Sequence, residues 1–295
     1  MRTVQDHARD CVRRAVVEDL DRDDLCLDAD LTSRLAVPAS SRGRAEVRAK
    51  SAGVIAGLDC AGWAFELLDP ECTFEPLRAD GDRLAHGDLV LRVAGDLRAL
   101  LAAERTALNF LQRLSGIATA TRAFVDAVAG TPARILDTRK TTPGLRALEK
   151  RAVRAGGGHN HRFGLFDQVL LKENHFAGAL PDTYEQVVRR CAEEQDGPVV
   201  AEARTVDEAV AAVRGGAAVV LLDNFAPGPM LEHAVRSVRE EALRRGVRVE
   251  TEASGGVRLD NVRAFAACGV DRISAGALTH SAPALDLSML VEARS

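Results

Sequence analysis

The sequence predicts an α/β protein, a barrel of alternating strands and helices preceded by a small α+β layer, and three observations carry this. The chain has 295 residues, 46% of them hydrophobic and 28% charged. That is an ordinary globular composition, with length for a barrel plus an appendage. After Gly130 short apolar runs alternate with helical segments, the signature of βα units and a parallel sheet. Each of those runs ends in polar or charged groups, as barrel strands do where they open into one shared mouth.

Taken in order, residues 3–20 have the spacing of an amphipathic helix, and the acidic stretch from Glu18 to Asp30 reads as a solvated loop. Apolar and polar residues alternate over 43–56 and 73–93, punctuated by Gly53, Gly57, Gly81 and Gly87, which predicts strands and turns. Residues 58–68 between them are helical in pattern. No GxGxxG follows a strand here, so the layer is not a dinucleotide fold. A long helix is predicted over 97–128, with Leu100, Leu101, Ala107, Leu108, Leu111 and Leu114 on its apolar face and a kink or split at Gly116. It carries the chain out of the first unit. The predicted barrel strands are 133–137, 168–172, 198–202, 218–222, 247–252 and 271–274.

Net charge is −4, with no basic excess to neutralise a nucleic-acid backbone. No run of ~18 apolar residues occurs and MRTVQDHARD lacks a signal-peptide pattern, so the expectation is a cytoplasmic protein. The six cysteines are scattered without a CxxC pair, which points to small buried apolar side chains rather than zinc ligands. Lysine is the informative residue: the chain has 35 Arg but only Lys50, Lys140, Lys150 and Lys172. A compact ammonium fits tight anion sites that a guanidinium fork does not. Two of the four lysines fall in the chemically densest stretches.

Those stretches are the strand ends: Asp137-Thr138-Arg139-Lys140, Lys172-Glu173-Asn174, Glu202, Asp223-Asn224, Glu252 with Ser254, and Ser274 with Gly276. Asp223 or Ser254 alone would equally suit a helix N-cap. Arg139, Lys140, Lys172 and Glu202 make poor caps, so the set favours a site. Arg139, Lys140, Arg162 and Lys172 would converge there with His159, His161 and His175 nearby, and cations gathered in a net-acidic protein imply an anionic ligand. Glu202, Asp223 and Glu252 offer the hard oxygens that hold Mg2+ together with substrate phosphates. The Gly156–Gly158 triplet, Ser254-Gly255-Gly256 and Gly276 are glycine-rich, and the last two follow the final strands, where barrels bind phosphate. His7, His86, His233 and His280 are isolated, and Trp63 and Tyr184 are assigned to packing.

AERTALNFLQRLSGIA (103–118) and DTRKTTPGLRALEKRAVRAGGGHNHRFGLFD (137–167) resemble the quinolinate phosphoribosyltransferases. So do LLKENH (170–175), LLDN (221–224), EASGGV (252–257) and SAGALTHSAPALDLS (274–288), so that the likeness covers nearly the whole chain. The resemblance implies the incomplete, TIM-like α/β barrel of type II phosphoribosyltransferases with an N-terminal α+β sandwich. Its divisions would be 1–115 for the sandwich and connector, 116–275 for the barrel, and 276–295 for a segment returning to the sandwich. It implies conversion of quinolinate and phosphoribosyl pyrophosphate to nicotinate mononucleotide, CO2 and pyrophosphate with Mg2+, a step of de novo NAD synthesis.

On the family's pattern Arg139, Lys140, Arg162 and Lys172 bind the quinolinate carboxylates and nearby phosphate charge, with Thr138 and His161 assisting. Arg105 resembles an arginine that reaches a neighbouring subunit's pocket, which implies a homodimer; read from the helix alone it is a surface arginine. Glu202 and Asp223 match acids at the ribose hydroxyls and metal, and with Lys140 and Lys172 form the expected catalytic set. Ser254-Gly255-Gly256 and Ala275-Gly276-Ala277 match loops on the ribose 5-phosphate. The strand PVVAEAR (198–204) departs from the alternating acids of many relatives, with Val200 and Arg204 flanking Glu202, which puts metal affinity in question. The implied chemistry is electrostatic and needs no protein nucleophile. Charge builds at the anomeric carbon as pyrophosphate leaves, the ring nitrogen attacks, and the pyridinium supports loss of CO2 before a proton returns from water or Lys140. Two rival readings are a Schiff-base barrel using Lys172 and a catalytically idle binding protein.

Overall fold

The computed structural model describes residues 4–294. In chain order its elements are helix α1 (Val4–Leu20), a 3-10 turn (Leu27–Ala29), α2 (Leu31–Ala36), strands β1 (Arg42–Ala49) and β2 (Gly53–Val54), α3 (Leu58–Leu68), β3 (Thr73–Pro76), β4 (Arg83–Leu84) and β5 (Leu89–Asp96). The helix α4 (Leu97–Ala127) leads to β6 (Arg134–Leu136), α5 (Arg146–Ala155), β7 (Leu170–Leu171), α6 (Glu173–Gly178), α7 (Tyr184–Glu194), β8 (Val200–Ala203), α8 (Val206–Gly215), β9 (Val219–Asp223) and α9 (Pro229–Arg245). The chain ends through β10 (Glu250–Ser254), α10 (Val262–Ala267), β11 (Arg272–Ser274), α11 (Ala277–His280) and β12 (Leu287–Arg294).

Internal contacts divide the chain into two compact units, Met1–Arg122 with Thr141–Gly157 and Ser281–Ser295, and Ala123–Lys140 with Gly158–His280. Residues 141–157 lie with the first unit because Glu149, wholly buried on α5, accepts from Arg113 Nη2 at 2.8 Å and from the Thr142 hydroxyl at 2.7 Å. A buried carboxylate needs such partners.

The first unit is built on an antiparallel sheet in the order β12-β1-β5-β3. Alternate residues of β1, among them Ala45, Val47 and Ala49, point into the core, as a strand of period two requires. Its α3 begins where Asp80 accepts from the Gly57 and Leu58 amides, which satisfies donors the first turn leaves open. The expected kink at Gly116 does not occur: α4 runs unbroken for 31 residues. Gly116 is there for close approach, since a Cβ would stand 2.0 Å from the Pro283 carbonyl oxygen.

The second unit is α/β. Its six strands form one parallel sheet in the order β6-β11-β10-β9-β8-β7, so the first strand pairs with the last. On the other side of β6 the described residues give only a parallel bridge, Leu136 to His159, so the circuit is that of an incomplete barrel. The strands are Val- and Leu-rich because parallel strands are covered on both faces. Thr183 and Thr205 cap α7 and α8 by accepting from Gln186 and Glu208 amides.

Candidate active site

Residues paired in a parallel register share one face of the sheet. Leu170, Val200, Val219 and Leu221 therefore lie on one face, where they form a buried cluster. Two residues further along, on that same face, stand Lys172, Glu202 and Asp223. The apolar cluster is the floor and the charged groups are the mouth above it. Val200 thus belongs to the floor, where an acid would be desolvated. The other departure, Arg204, pairs with Glu173 at 2.7 Å.

Lys172 Nζ lies 3.3 Å from Glu202 Oε2, and Glu202 is 8% exposed. An ammonium held by a carboxylate is the opposite of the desolvated amine that forms Schiff bases. Asp223 sits beside this pair with its carboxyl held above the usual range, by burial first and by the Glu202 charge second, while Lys172, Lys140 and Arg204 oppose the shift. Asn224, in the left-handed region at φ 60, donates its side-chain amide to Asp223 Oδ2 at 2.8 Å and its backbone N–H to the Ser254 carbonyl at 3.0 Å. Nothing in the composition of LLDN marks that role. Gly255 must be glycine: at φ +93, its Cβ would stand 2.4 Å from Asn224 Oδ1.

Thr138 Oγ1 accepts from the Lys140 amide at 3.0 Å, shaping the turn after β6. Lys140 is exposed, and its stem crosses Gly276, where a Cβ would meet Lys140 Cδ at 2.8 Å. The Thr279 hydroxyl donates to the Lys140 carbonyl at 2.8 Å, so the loop Ala275-Gly276-Ala277 and the Lys140 turn are tied together. Arg162 donates from Nη1 to the Gln168 carbonyl at 3.2 Å. Its guanidinium is held below its usual value by burial and then by the charge of Arg139. The two forks, 23 positions apart in sequence, are brought within electrostatic reach of each other.

Three expectations change. Glu252 is not at the mouth: it is wholly buried, its carboxyl raised by burial, with Arg272 Nε 3.0 Å away. Gly156 is a packing residue in the first unit, where a Cβ would lie 2.5 Å from the Ala118 carbonyl. Tyr184 does more than fill space, since it stacks on Phe176 at 3.9 Å and its hydroxyl donates to the Glu202 carbonyl at 2.8 Å. His161 faces inward, its ring between the Arg162 amide and Glu252. Arg105 lies exposed on α4, in the first unit. Among the described residues no helix is long and apolar enough to cross a membrane.

A parallel barrel with paired guanidiniums, two lysines and two acids at the strand ends defines an enzyme built for a ligand of several negative charges. The chain belongs to the quinolinate phosphoribosyl transferase family, whose N-terminal domain matches residues 30–115 and whose C-terminal domain matches residues 117–290. It is 42% identical over 291 residues to the nicotinate-nucleotide pyrophosphorylase (carboxylating) of Mycobacterium leprae (strain TN), covering 96% of this chain and 97% of that one. It is 42% identical over 265 residues to the probable nicotinate-nucleotide pyrophosphorylase (carboxylating) of Bacillus subtilis (strain 168), covering 88% and 87%. The crystal structure of NadC from Streptococcus pyogenes matches with a TM-score of 0.87 at 36% identity, covering 97% of this chain and 96% of that one. The nicotinate-nucleotide pyrophosphorylase of Francisella tularensis gives 0.87 at 33% identity, covering 99% and 98%.

Proposed function

We propose that this chain transfers the phosphoribosyl group of phosphoribosyl pyrophosphate to the ring nitrogen of quinolinate, with loss of pyrophosphate and CO2, leaving nicotinate mononucleotide for NAD synthesis. One observation carries the reading: Arg162, half-buried with its Nη1 on the Gln168 carbonyl, is held below its usual value by burial first and by the charge of Arg139 second, so two guanidiniums lie within electrostatic reach of each other, where an anion between them is favoured. Adjacent carboxylates on one ring supply two charges at fork spacing. Arg139 and Arg162 then take the dicarboxylate, with Thr138 shaping the turn.

Lys140 and Lys172 add cations where ring carboxylate and phosphate meet. Ser254-Gly255-Gly256 and Ala275-Gly276-Ala277 present backbone amides to the 5-phosphate. Glu202 and Asp223 bind the ribose hydroxyls. They are also two hard carboxylates set close together, with the Glu202 charge acting on Asp223. That donor set fits Mg2+, which is held by one or two carboxylates and completes its shell with phosphate oxygens. Glu202 and Asp223 would hold the ion, and its contribution when bound is to neutralise charge on departing pyrophosphate. We assign to Lys140 the return of a proton to the ring carbon after CO2 departs.

The test mixes protein with quinolinate, phosphoribosyl pyrophosphate and Mg2+ and follows nicotinate mononucleotide and CO2, with nicotinate as control. Turnover of quinolinate alone supports the reading; none under metal-replete conditions rejects it. We assign Arg105 to the partner's pocket in a homodimer. Mixed Arg105→Ala and Arg139→Ala chains, each inactive alone, should regain about a quarter of wild-type activity, because half the dimers are mixed and each holds one whole site. No recovery would remove the cross-subunit role.

A further inference from the structure

On the β7-β8-β9-β10 side of the mouth the strand registers place one further cation. β8 pairs with β9 so that Glu202 is level with Leu221 and Ala203 with Leu222. Carried one residue beyond that ladder, the register sets Arg204 level with Asp223, which is itself paired with Ser254 of β10. Successive levels alternate between faces, so Arg204, Asp223 and Ser254 fall on the face that bears Glu202, one tier further out. The side-chain contacts agree. Arg204 Nη1 lies 2.7 Å from Glu173 Oε2, and the Glu173 amide donates to Glu202 Oε1 at 3.4 Å. The charge of Arg204 is also felt at Asp223. No step assigned above uses this arginine.

Its backbone is fixed and its side chain is lightly held. The Arg204 amide donates to Glu208 Oε2 at 2.7 Å, in the turn where Thr205 caps α8. The Arg204 and Glu173 side chains are 48% and 54% exposed, and an ion pair so open to water contributes less than about 1 kcal/mol. The neighbouring cation differs: Lys172 is tied to Glu202, which is nearly buried and would be left without its counter-charge if the ammonium moved away. Arg204 can leave its partner without that cost, because Glu173 remains in water. A guanidinium also keeps donors to spare after one contact, and phosphate oxygens accept two of them at fork spacing.

We propose that Arg204 is a pyrophosphate-binding residue: it exchanges Glu173 for the pyrophosphate group of the phosphoribosyl donor at the outer rim of Glu202 and Asp223, and Glu173 holds the guanidinium at the mouth until that anion arrives. This rests on the phosphoribosyl reading of the site. The two halves of the ion pair then have different tasks. Removing Arg204 removes a contact to the anion, whereas removing the charge of Glu173 removes only its competitor.

The test measures binding of inorganic pyrophosphate to the full-length protein by calorimetry in the presence of Mg2+, with benzene-1,2-dicarboxylate as the control for the Arg139 and Arg162 side. Arg204→Ala should bind pyrophosphate on the order of tenfold more weakly, the loss of one charge-assisted contact, with the dicarboxylate unchanged. Glu173→Gln should bind pyrophosphate no more weakly than the wild type. Arg204→Lys keeps the charge but not the fork, and should fall at least about threefold below the wild type. Unchanged affinity in Arg204→Ala overturns the proposal. So does a loss in Glu173→Gln as large as that in Arg204→Ala, because a brace between α6 and the end of β8 fails whichever half is removed. Arg204→Lys at wild-type affinity also overturns it, since charge at a distance would then suffice. Should Arg204→Ala fail to fold, Arg204→Lys and Glu173→Gln decide by the same signs. In all these cases a wild type that binds pyrophosphate leaves the phosphoribosyl reading standing; a wild type that binds none brings down that reading and the proposal with it.

Discussion

Replacing Gly255 and Gly256 in turn separates backbone strain from the packing that holds Asp223. Both glycines have positive φ, +93 and +62, but a Cβ on Gly256 meets nothing within 4 Å while one on Gly255 stands 2.4 Å from Asn224 Oδ1 and 3.1 Å from its backbone nitrogen. Gly256→Ala therefore costs the left-handed penalty alone, about 1 kcal/mol. Gly255→Ala incurs that penalty and must also displace Asn224, whose hydrogen bonds to Ser254 O and Asp223 Oδ2 are worth about 1 kcal/mol each. The sum is about 3 kcal/mol, which for a protein this size lowers Tm by about 6 to 12 °C against about 2 to 4 °C for Gly256→Ala. Because Asp223 loses its orienting partner, kcat/KM for phosphoribosyl pyrophosphate should also fall on the order of 10²-fold in Gly255→Ala, while binding of a dicarboxylate alone is unchanged. Scanning fluorimetry and initial rates with each substrate varied make the comparison. Equal melting of the two variants, with Asp223-dependent activity intact in both, would refute the argument that this close approach holds the acid.

Asp223→Asn should melt higher than the wild type at pH 7 without ligands while losing turnover. The folded carboxyl titrates above its unfolded value, so its favourable contribution is present below the unfolded pKa and lost as pH rises through the folded one; the melting gap should close near pH 4, and a variant that melts lower at pH 7 contradicts this. Arg139→Ala and Lys172→Ala should each lower kcat/KM for quinolinate by about 10² to 10³ with the fold intact by circular dichroism; near-normal turnover in either removes that residue's role. Tyr184→Phe leaves the Glu202 carbonyl without its donor and should cost about 1 kcal/mol, seen as a denaturant midpoint shift at unchanged m; no shift means that stacking on Phe176 is the whole of its contribution.

The barrel strands were legible because each is a short apolar run covered on both faces and closed by a polar group, and β8, at 200–203 against an expected 198–202, shows the usual slip of a boundary. Which strands pair is a different matter, since β6 and β11 lie more than 130 residues apart and only closure of the circuit brings them together. A lone glycine such as Gly116 signals either a kink or a close contact, and the Pro283 carbonyl that decides between them is remote in sequence. The charged mouth could be read from strand ends, but depth could not. Glu252 and Glu202 both end apolar runs, yet one is sealed beneath its strand neighbours and the other faces a lysine. Tyr184 hid its role in the same way, because both its partners come from other elements.

The two halves of the barrel interior differ in kind, and the difference follows from what stands above each. Under Lys172, Glu202 and Asp223 the floor is the apolar cluster of Leu170, Val200, Val219 and Leu221. Point charges and carboxylates act on phosphate and metal from a range of angles, so close packing beneath them is enough to keep them in place. Under Arg139 and Arg162 the interior is polar, with Asp137 accepting from the His161 amide and His161 Nδ1 accepting from the Arg162 amide. A guanidinium that must meet a carboxylate edge-on has to be oriented as well as placed, and orientation is what hydrogen bonds with a fixed donor and acceptor supply and what methyl groups do not. An apolar replacement of comparable volume on the first side should therefore change stability and leave the preference for quinolinate over nicotinate where it was. A change of donor and acceptor on the second side should move that preference even where the melting temperature stays the same.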